Sequence, residues 1–416
     1  MNCKDINKIL AETAYARISG TDSEKRCAEY IKSLCEKIGV SAKIESFPIK
    51  MYDVQCAKFS IDGKEIPCKA YYGAPNGTVR AKIYHLQCLD DDSIKRCKGK
   101  IVITDYLVGY RLYDKLIENG AVGYVTYNGN LAFNDKDIEQ KEIRFEIAPD
   151  KRIPAVNIHI SDAKNIVKST GKIAEITVEQ TSYMSQSYNV VADIKGETDE
   201  TIVVSAHFDT TPLSVGAYDN MSSCIALLYM AEYFMEYKTR SNIRLLWCGS
   251  EERGLLGSLE YCKMHFDELK NTVLNINLDM LGSALGEFVA FSCINEEYAS
   301  FLKWFLKKVR FGGVVRHAIR SSDSNSFVHF GVPAISFARY APSGVPPIHT
   351  RYDTAEILSA KQLLKDIKVI TKFTDFIATA EKLDVSMEIS EKIKTDVENY
   401  MYRKLNAIGE IDSNDK

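Results

Sequence analysis

Residues 201–237 read TIVVSAHFDTTPLSVGAYDNMSSCIALLYMAEYFMEY. The opening run, Thr201–Ala206, is short, apolar and β-branched, as a buried strand should be, and Asn220–Tyr237 has the length and composition of a packed helix. The alternation continues with Ile243–Cys248 as a strand, Leu256–His265 as a helix and Val273–Leu278 as a strand. Strand, loop and helix in this order predict an α/β fold, a three-layer sandwich around a mixed, mainly parallel sheet. Two further strands, Glu287–Phe291 and Ala334–Phe337, flank the amphipathic helix Glu296–Val309, and Ser359–Lys382 reads as another packed helix.

Working outward, Cys27, Ile31, Leu34, Cys35 and Ile38 recur at helical spacing before the stop signal Gly39, and SAKIESFPI alternates as a strand. From Met51 to Gln180 the texture changes to short β-like runs, Lys100–Thr104, Val122–Tyr127 and Ala155–Ile160, with Gly and Pro punctuation and one helix, Leu112–Asn119. We therefore expect one domain from residues 1–50 and 181–385, interrupted by a β-rich domain at 51–180. A C-terminal segment, 386–416, follows: a charged helix over Ser386–Ala407 and the polar tail GEIDSNDK, expected to fray.

Lys and Arg number 53 and Asp and Glu 56, a net charge of −3, so no electrostatic footprint for nucleic acid or an anionic membrane is expected. The longest apolar run, Cys224–Ala231, falls far short of the ~18 residues that suggest a membrane span. The N-terminal residues lack the basic and apolar regions of a secretory signal. Eleven cysteines without a C-x-x-C pair fit reduced thiols, and a cytoplasmic location is expected. A homo-oligomer is compatible with the sequence but not indicated by it.

The chemistry-bearing residues fall just after the expected strands, where open α/β sheets bind ligands. TIVVSA runs into His207-Phe208-Asp209, where an i, i+2 spacing on extended chain puts both polar side chains on one face and lets Asp209 orient His207. Asp219 in GAYDN precedes the long helix. IRLLWC runs into Glu251-Glu252, VLNINL into Asp279, and PPIHTRYDT carries His349 after the strand AISF. Each alone has an ordinary explanation: a strand-end histidine, a helix N-cap, a solvated acidic pair, a loop acid. Two imidazoles and several carboxylates at corresponding ends of consecutive elements do not.

Hydrolysis with two metal ions accounts for the set. Two zinc ions bring four positive charges; Asp219, Glu252 and Asp279 supply three negative ones and a hydroxide the fourth. Zinc favours imidazole and carboxylate ligands. Glu251 is then free to act as the base.

Together H-F-D, G-A-Y-D-N, S-E-E, N-L-D-M and I-H-T-x-x-D-T resemble the M28 family of di-zinc peptidases, over residues 8–49 and 185–380. The resemblance implies that Asp219 bridges the metals, with His207 and Asp279 completing one site and Glu252 and His349 the other. It gives Glu251 the general base role and Asp209 that of orienting His207, and implies a cis peptide between Asp219 and Asn220. The expected activity is that of an aminopeptidase acting on short peptides, with two Zn2+ per chain and Co2+ or Mn2+ as substitutes. The runs CKGKIVITDY, GAVGYVTYN and RIPAVNIHI resemble the protease-associated (PA) domain inserted in some members, which would either roof the cleft or serve packing.

Two departures bear on the substrate pocket. Many members carry S-D-H where this chain has Ser322-Asp323-Ser324, and some place a tyrosine near the position of Ile319 to stabilise the oxyanion. His317, Arg320 and Tyr340 are the candidate substrate-binding substitutes. Of the alternatives, a carboxypeptidase would need a cation for the terminal carboxylate, for which Arg253, Arg320 or Arg339 could serve. A glutaminyl-cyclase-like acyltransferase would use one zinc and not need His207. A non-catalytic binding protein on the same fold would be expected to lack ligands, and all five are present. His85, His159, His265 and His329 have no evident partner and are expected in core or surface roles.

Overall fold

The computed structural model describes residues 1–105, 110–143 and 152–408. They form two compact units, one built from Met1–Ile49 and Ser185–Met401 and a second containing Lys50–Met184. The chain begins with α1 (Cys3–Glu12), capped by Asn2, whose side chain accepts the Lys4 N–H while Asp5 accepts that of Asn2. The sequence pattern had not marked this helix. Next, α2 (Asp22–Ile38) buries Glu24, Cys27, Ala28, Ile31 and Cys35 and ends at Gly39, whose φ of 94° forms the left-handed cap. The strand β1 (Ala42–Ile61) leads out of the first unit.

In the second unit β2 (Lys64–Ile66) pairs with β1, pairing Phe59 with Ile66. There follow β3 (Cys68–Ala70), β4 (Gly77–His85), α3 (Asp91–Lys95), β5 (Lys100–Ile103), α4 (Tyr110–Glu118), β6 (Gly123–Asn128), β7 (Ala155–His159), α5 (Ile160–Ile166) and β8 (Ile173–Ile194). The strands β4, β5, β6 and β7 are parallel neighbours, with β3 antiparallel on β7 and β8 antiparallel on β4. Ile83, Ile101, Val125, Val156 and Ile176 lie in a core of its own.

The first unit resumes with β9 (Thr201–His207), α6 (Ser222–Glu236), β10 (Asn242–Cys248), α7 (Leu256–Met264), α8 (Phe266–Leu269) and β11 (Thr272–Leu278). It continues through β12 (Glu287–Cys293), α9 (Glu296–Lys308), β13 (Val314–His317), α10 (Ser324–His329), β14 (Ala334–Tyr340), α11 (Ala360–Thr379) and α12 (Glu391–Ile408). Its strands lie in the order β13-β12-β14-β11-β9-β10-β8. The pairs among β14, β11, β9 and β10 are parallel, while β12 and β8 join antiparallel, which gives the mixed, mainly parallel sheet. One face packs on α1, α2, α6, α9 and α11 through Ile202, Val204, Leu245, Ile276, Phe337, Leu227 and Phe373; α7 and α10 cover the other. The tail GEIDSNDK lies outside the described residues.

Candidate metal centre

Strand β9 is the point at which the chain order reverses. After it the chain adds β10 on one side and then crosses to add β11 on the other, both parallel to β9. A crevice opens at such a switch point, at the C-terminal ends of the strands. Register then decides which side chains meet there. Cys248 pairs with His207, so Glu251 and Glu252 follow just beyond the end of β10. Asn277 pairs with Ser205, and two residues on Asp279 comes alongside His207. Between β9 and α6 the chain makes a kinked turn, Ala217–Met221, in which Asp219 and Asn220 are joined by a cis peptide, and α6 starts at Ser222 and not at Asn220 as the pattern suggested. His349 is supplied by the loop after β14, from a left-handed backbone conformation with φ 64°.

All five expected ligands come together. His207 Nε2 lies 3.1 Å from Asp219 Oδ1 and 3.7 Å from Asp279 Oδ1. His349 Nε2 lies 3.2 Å from Asp219 Oδ2 and 3.1 Å from Glu252 Oε1. The ligand atoms of His207, Asp219 and Asp279 fall within 4.8 Å of one another, as do those of Asp219, Glu252 and His349. Asp219 offers one oxygen to each group. The two groups share one carboxylate, and each offers imidazole and carboxylate donors of the kind zinc favours.

The electrostatics agree with a site built for positive charge. Burial opposes a proton on His207, but Glu251, Asp209, Asp219 and Asp279 together outweigh it and hold the imidazole pKa well above its usual value. Burial also opposes charge on His349, where Asp219 and Glu252 prevail and raise the pKa to about 11. Glu251 is raised well above the carboxylate range, first by burial and then by Glu252, Asp323 and Asp279, against the lowering effect of His207. Burial likewise raises Glu252, with the Asp219 charge adding to it. Carboxylates crowded into so little solvent require protons or cations for neutrality.

The surrounding residues explain why the ligands stand where they do. Asp209 accepts hydrogen bonds from the backbone N–H of Glu251 at 2.9 Å and Glu252 at 3.2 Å, and from Ser19 Oγ at 3.0 Å. Its distance to His207 Nδ1 is 3.5 Å and that nitrogen has no hydrogen-bond partner, so the structure ties Asp209 to the acidic pair more firmly than to the imidazole. Arg17 is fully buried and donates to the carbonyls of Thr13, Tyr15, Phe208, Val215 and Gly216, clamping both ends of the loop between His207 and Asp219. Glu24 accepts from Ser187 Oγ and Gly20 N, and burial lifts its pKa to about 8. Asp353 accepts the backbone N–H of both Tyr218 and Asp219.

Spacing in the sequence did not single out Arg17, Glu24 or Asp353. Two of them carried a signal nonetheless. Glu24 stands one helical turn before Cys27 and Ala28, a carboxylate on the apolar stripe of α2, and Asp353 belongs to the same short motif as His349.

Of the substrate candidates, Arg320 and Tyr340 come to the cluster and His317 does not. Arg320 Nη2 lies 2.9 Å from Asp279 Oδ2, and its guanidinium stacks 5.2 Å from the Tyr340 ring centre. His317 turns its Nε2 to Ser390 Oγ at 3.1 Å, with Nδ1 3.9 Å from Glu296. Arg339 is held by Asp366 through two contacts of 2.8 Å. Of the remaining histidines, His265 turns out to be partnered, set between Glu45 and Glu268 at 3.0 Å each, and His159 is a buried cap of α5 bonded to Ser161.

Residues 189–374 match the model of peptidase family M28. Among individual proteins, the chain is homologous to aminopeptidase YwaD of Bacillus subtilis, at 26% identity over 386 residues, 87% of this chain and 81% of that protein. Leucine aminopeptidase 2 of Trichophyton equinum is 26% identical over 64% of this chain and 55% of its own length. A solved zinc aminopeptidase from Bacillus subtilis superposes with a TM-score of 0.77 at 25% identity, covering 94% of this chain and 99% of that one. An aminopeptidase from Aneurinibacillus sp. strain AM-1 shares the fold with a TM-score of 0.73 at 22% identity, over 92% and 96% of the two chains.

Proposed function

We propose that this chain is a metallo-aminopeptidase that holds two zinc ions and hydrolyses the N-terminal residue of short peptides. The observation that carries the proposal is the pair of ligand groups sharing Asp219 at the C-terminal ends of parallel strands. The YwaD relative and the solved zinc aminopeptidase support the reaction class. His207, Asp219 and Asp279 would hold one ion, and Asp219, Glu252 and His349 the other. Bound there, zinc would polarise the scissile carbonyl and acidify a water molecule.

Glu251, half-buried beside His207 and held through its backbone N–H by Asp209, takes the proton from the attacking water and delivers it to the leaving amine. Arg320, fixed by Asp279 and Tyr340, is the proposed donor to the negative charge that develops on the substrate oxygen. Of the cations that a carboxypeptidase would use, Arg339 is engaged elsewhere, on Asp366. We assign residues 51–180 as a protease-associated domain on the sequence runs that resemble it. No helix among the described residues is long and apolar enough to cross a membrane. The eleven cysteines stay as thiols, which suits the reducing cytoplasm we propose as its setting.

Elemental analysis and hydrolysis of leucine p-nitroanilide test the proposal together. We expect about two metals per chain, loss of hydrolysis on chelation and recovery with added Zn2+. Undiminished hydrolysis by metal-stripped protein would overturn it.

A further inference from the structure

Asp353 holds no candidate position among the ligands, yet it touches the centre from two directions. It is fully buried. Its Oδ1 accepts the Tyr218 N–H at 2.8 Å, and its Oδ2 accepts both the Asp219 N–H at 3.1 Å and the Ser214 hydroxyl at 3.3 Å. Its main-chain oxygen accepts the Ala217 N–H at 3.4 Å, and its own N–H bonds back to Thr350 in the turn that follows His349. Asp353 thus fastens the loop that supplies His349 to the kinked turn that supplies Asp219, and it does so at the amide of Asp219 itself.

The chemistry of a carboxylate suits this task. The backbone donors of Tyr218 and Asp219 and the Ser214 hydroxyl converge, and each carboxyl oxygen takes at least one. An amide of the same shape would turn an NH2 group toward one of them, donor against donor. Such a conflict would disturb the group of Asp219, Glu252 and His349 most, because Asp353 fastens both the turn of Asp219 and the loop of His349, whereas His207 and Asp279 stand at the ends of β9 and β11, which it does not hold.

We propose that Asp353 is a positioning residue that sets the aim of Asp219 between the two metal positions and so governs the affinity for the second metal. The inference rests on the two-metal reading above. A residue serving stability alone would lower the melting temperature without separating the two binding steps.

The test uses the full chain as wild type, Asp353→Asn and Ser214→Ala, each stripped with chelator. Co2+ is added stepwise while the visible absorption of the bound ion and the heat of binding are followed. In Asp353→Asn we expect the first ion to bind nearly as in wild type and the second about 10–100-fold more weakly. With saturating Co2+, kcat should fall while KM changes little. Ser214→Ala, which removes one donor and leaves the carboxylate in place, should show a smaller loss in the same direction. A wild-type two-step isotherm in Asp353→Asn, or equal weakening of both steps together with a lowered melting temperature, overturns the proposal. If Asp353→Asn does not fold, Ser214→Ala decides: weaker second binding supports the assignment, and an unchanged isotherm ends it. A wild-type chain that takes up only one Co2+ would end the two-metal reading itself, and the proposal with it.

Discussion

Glu251 and Glu252 are neighbours in sequence with different surroundings, and the difference can be tested one atom at a time. Glu252 places Oε1 3.1 Å from His349 Nε2 within a ligand group; Glu251 belongs to neither ligand group and lies half-buried among other acids. Replacing Glu251 by Gln removes a proton carrier and nothing else, so metal content and substrate binding should persist while kcat falls by at least ~100-fold. Glu252→Gln should lose metal as well as rate, and equal metal content in the two variants would mean that their roles are exchanged. Asp219→Ala should cost more metal than any other single ligand change, because its two oxygens face both groups; elemental analysis near two ions per chain in that variant would refute the shared role. The five candidate ligands were legible because each is a metal-binding residue type at the end of a strand or in the segment that follows one. Arg17 and Asp353 were not, because their partners are backbone groups: Arg17 reaches carbonyls of residues 208, 215 and 216, and no spacing rule encodes such contacts.

At the scale of elements, the site depends on how closely α7 approaches the end of β10. A Cβ at Gly257 would stand 2.2 Å from the Gly249 carbonyl oxygen and 2.5 Å from Asn189 Oδ1, both fixed groups. Gly257→Ala should therefore push α7 away from the strand end that carries Glu251 and Glu252, and calorimetry should record a lower melting temperature; an unchanged one would show that the helix yields without cost. The start of α7 was legible, but this contact was not, since it is made between two glycine backbones. A second link between elements is ionic. His265, after α7, lies between Glu45 of β1 and Glu268 of α8, and Arg244 of β10 also pairs with Glu268. The bond to Glu45 leads in raising the pKa of His265 above 6.5, and although burial alone would raise Glu268, its bonds to Arg244 and His265 carry it below 4.5. A raised histidine stabilises the fold below its unfolded pKa and loses that effect as pH rises through the folded value. A depressed glutamate acts above its unfolded pKa and fails as pH falls through its folded one. The pair therefore contributes most between about pH 4.5 and 6.5. Urea unfolding of wild type and His265→Gln should differ more at pH 5.5 than at pH 9, and an equal difference at both would remove the ionic part of this account.

For the whole molecule the open question is which end of a peptide is read, since metals and base are common to both kinds of exopeptidase. Composition could not answer it, because a net charge of −3 spread over 416 residues says nothing of one crevice. The topology answers more. By collecting strand ends around β9 it concentrates Asp209, Asp219, Glu251, Glu252 and Asp279 in one place. Of the arginines that could have balanced them for a carboxylate ligand, Arg339 is committed to Asp366 and Arg253 is engaged as well. Freeing Arg339 would leave Asp366 buried without its partner, at a cost on the order of 3–5 kcal/mol. With Asp219, Glu252 and Asp279 offset by the proposed metals, Glu251 is the acid left beside them to pair with a free ammonium next to the scissile bond, and a free carboxylate would meet its like charge. Short peptides and aminoacyl-anilides with a free N-terminus should therefore be cleaved, N-acetylation should abolish cleavage, and C-terminal amidation should change it little. Chromatography of the products decides the matter: release of the C-terminal residue from N-acetylated peptides at a comparable rate would transfer the assignment to a carboxypeptidase, with the committed arginines then required to change partners on binding.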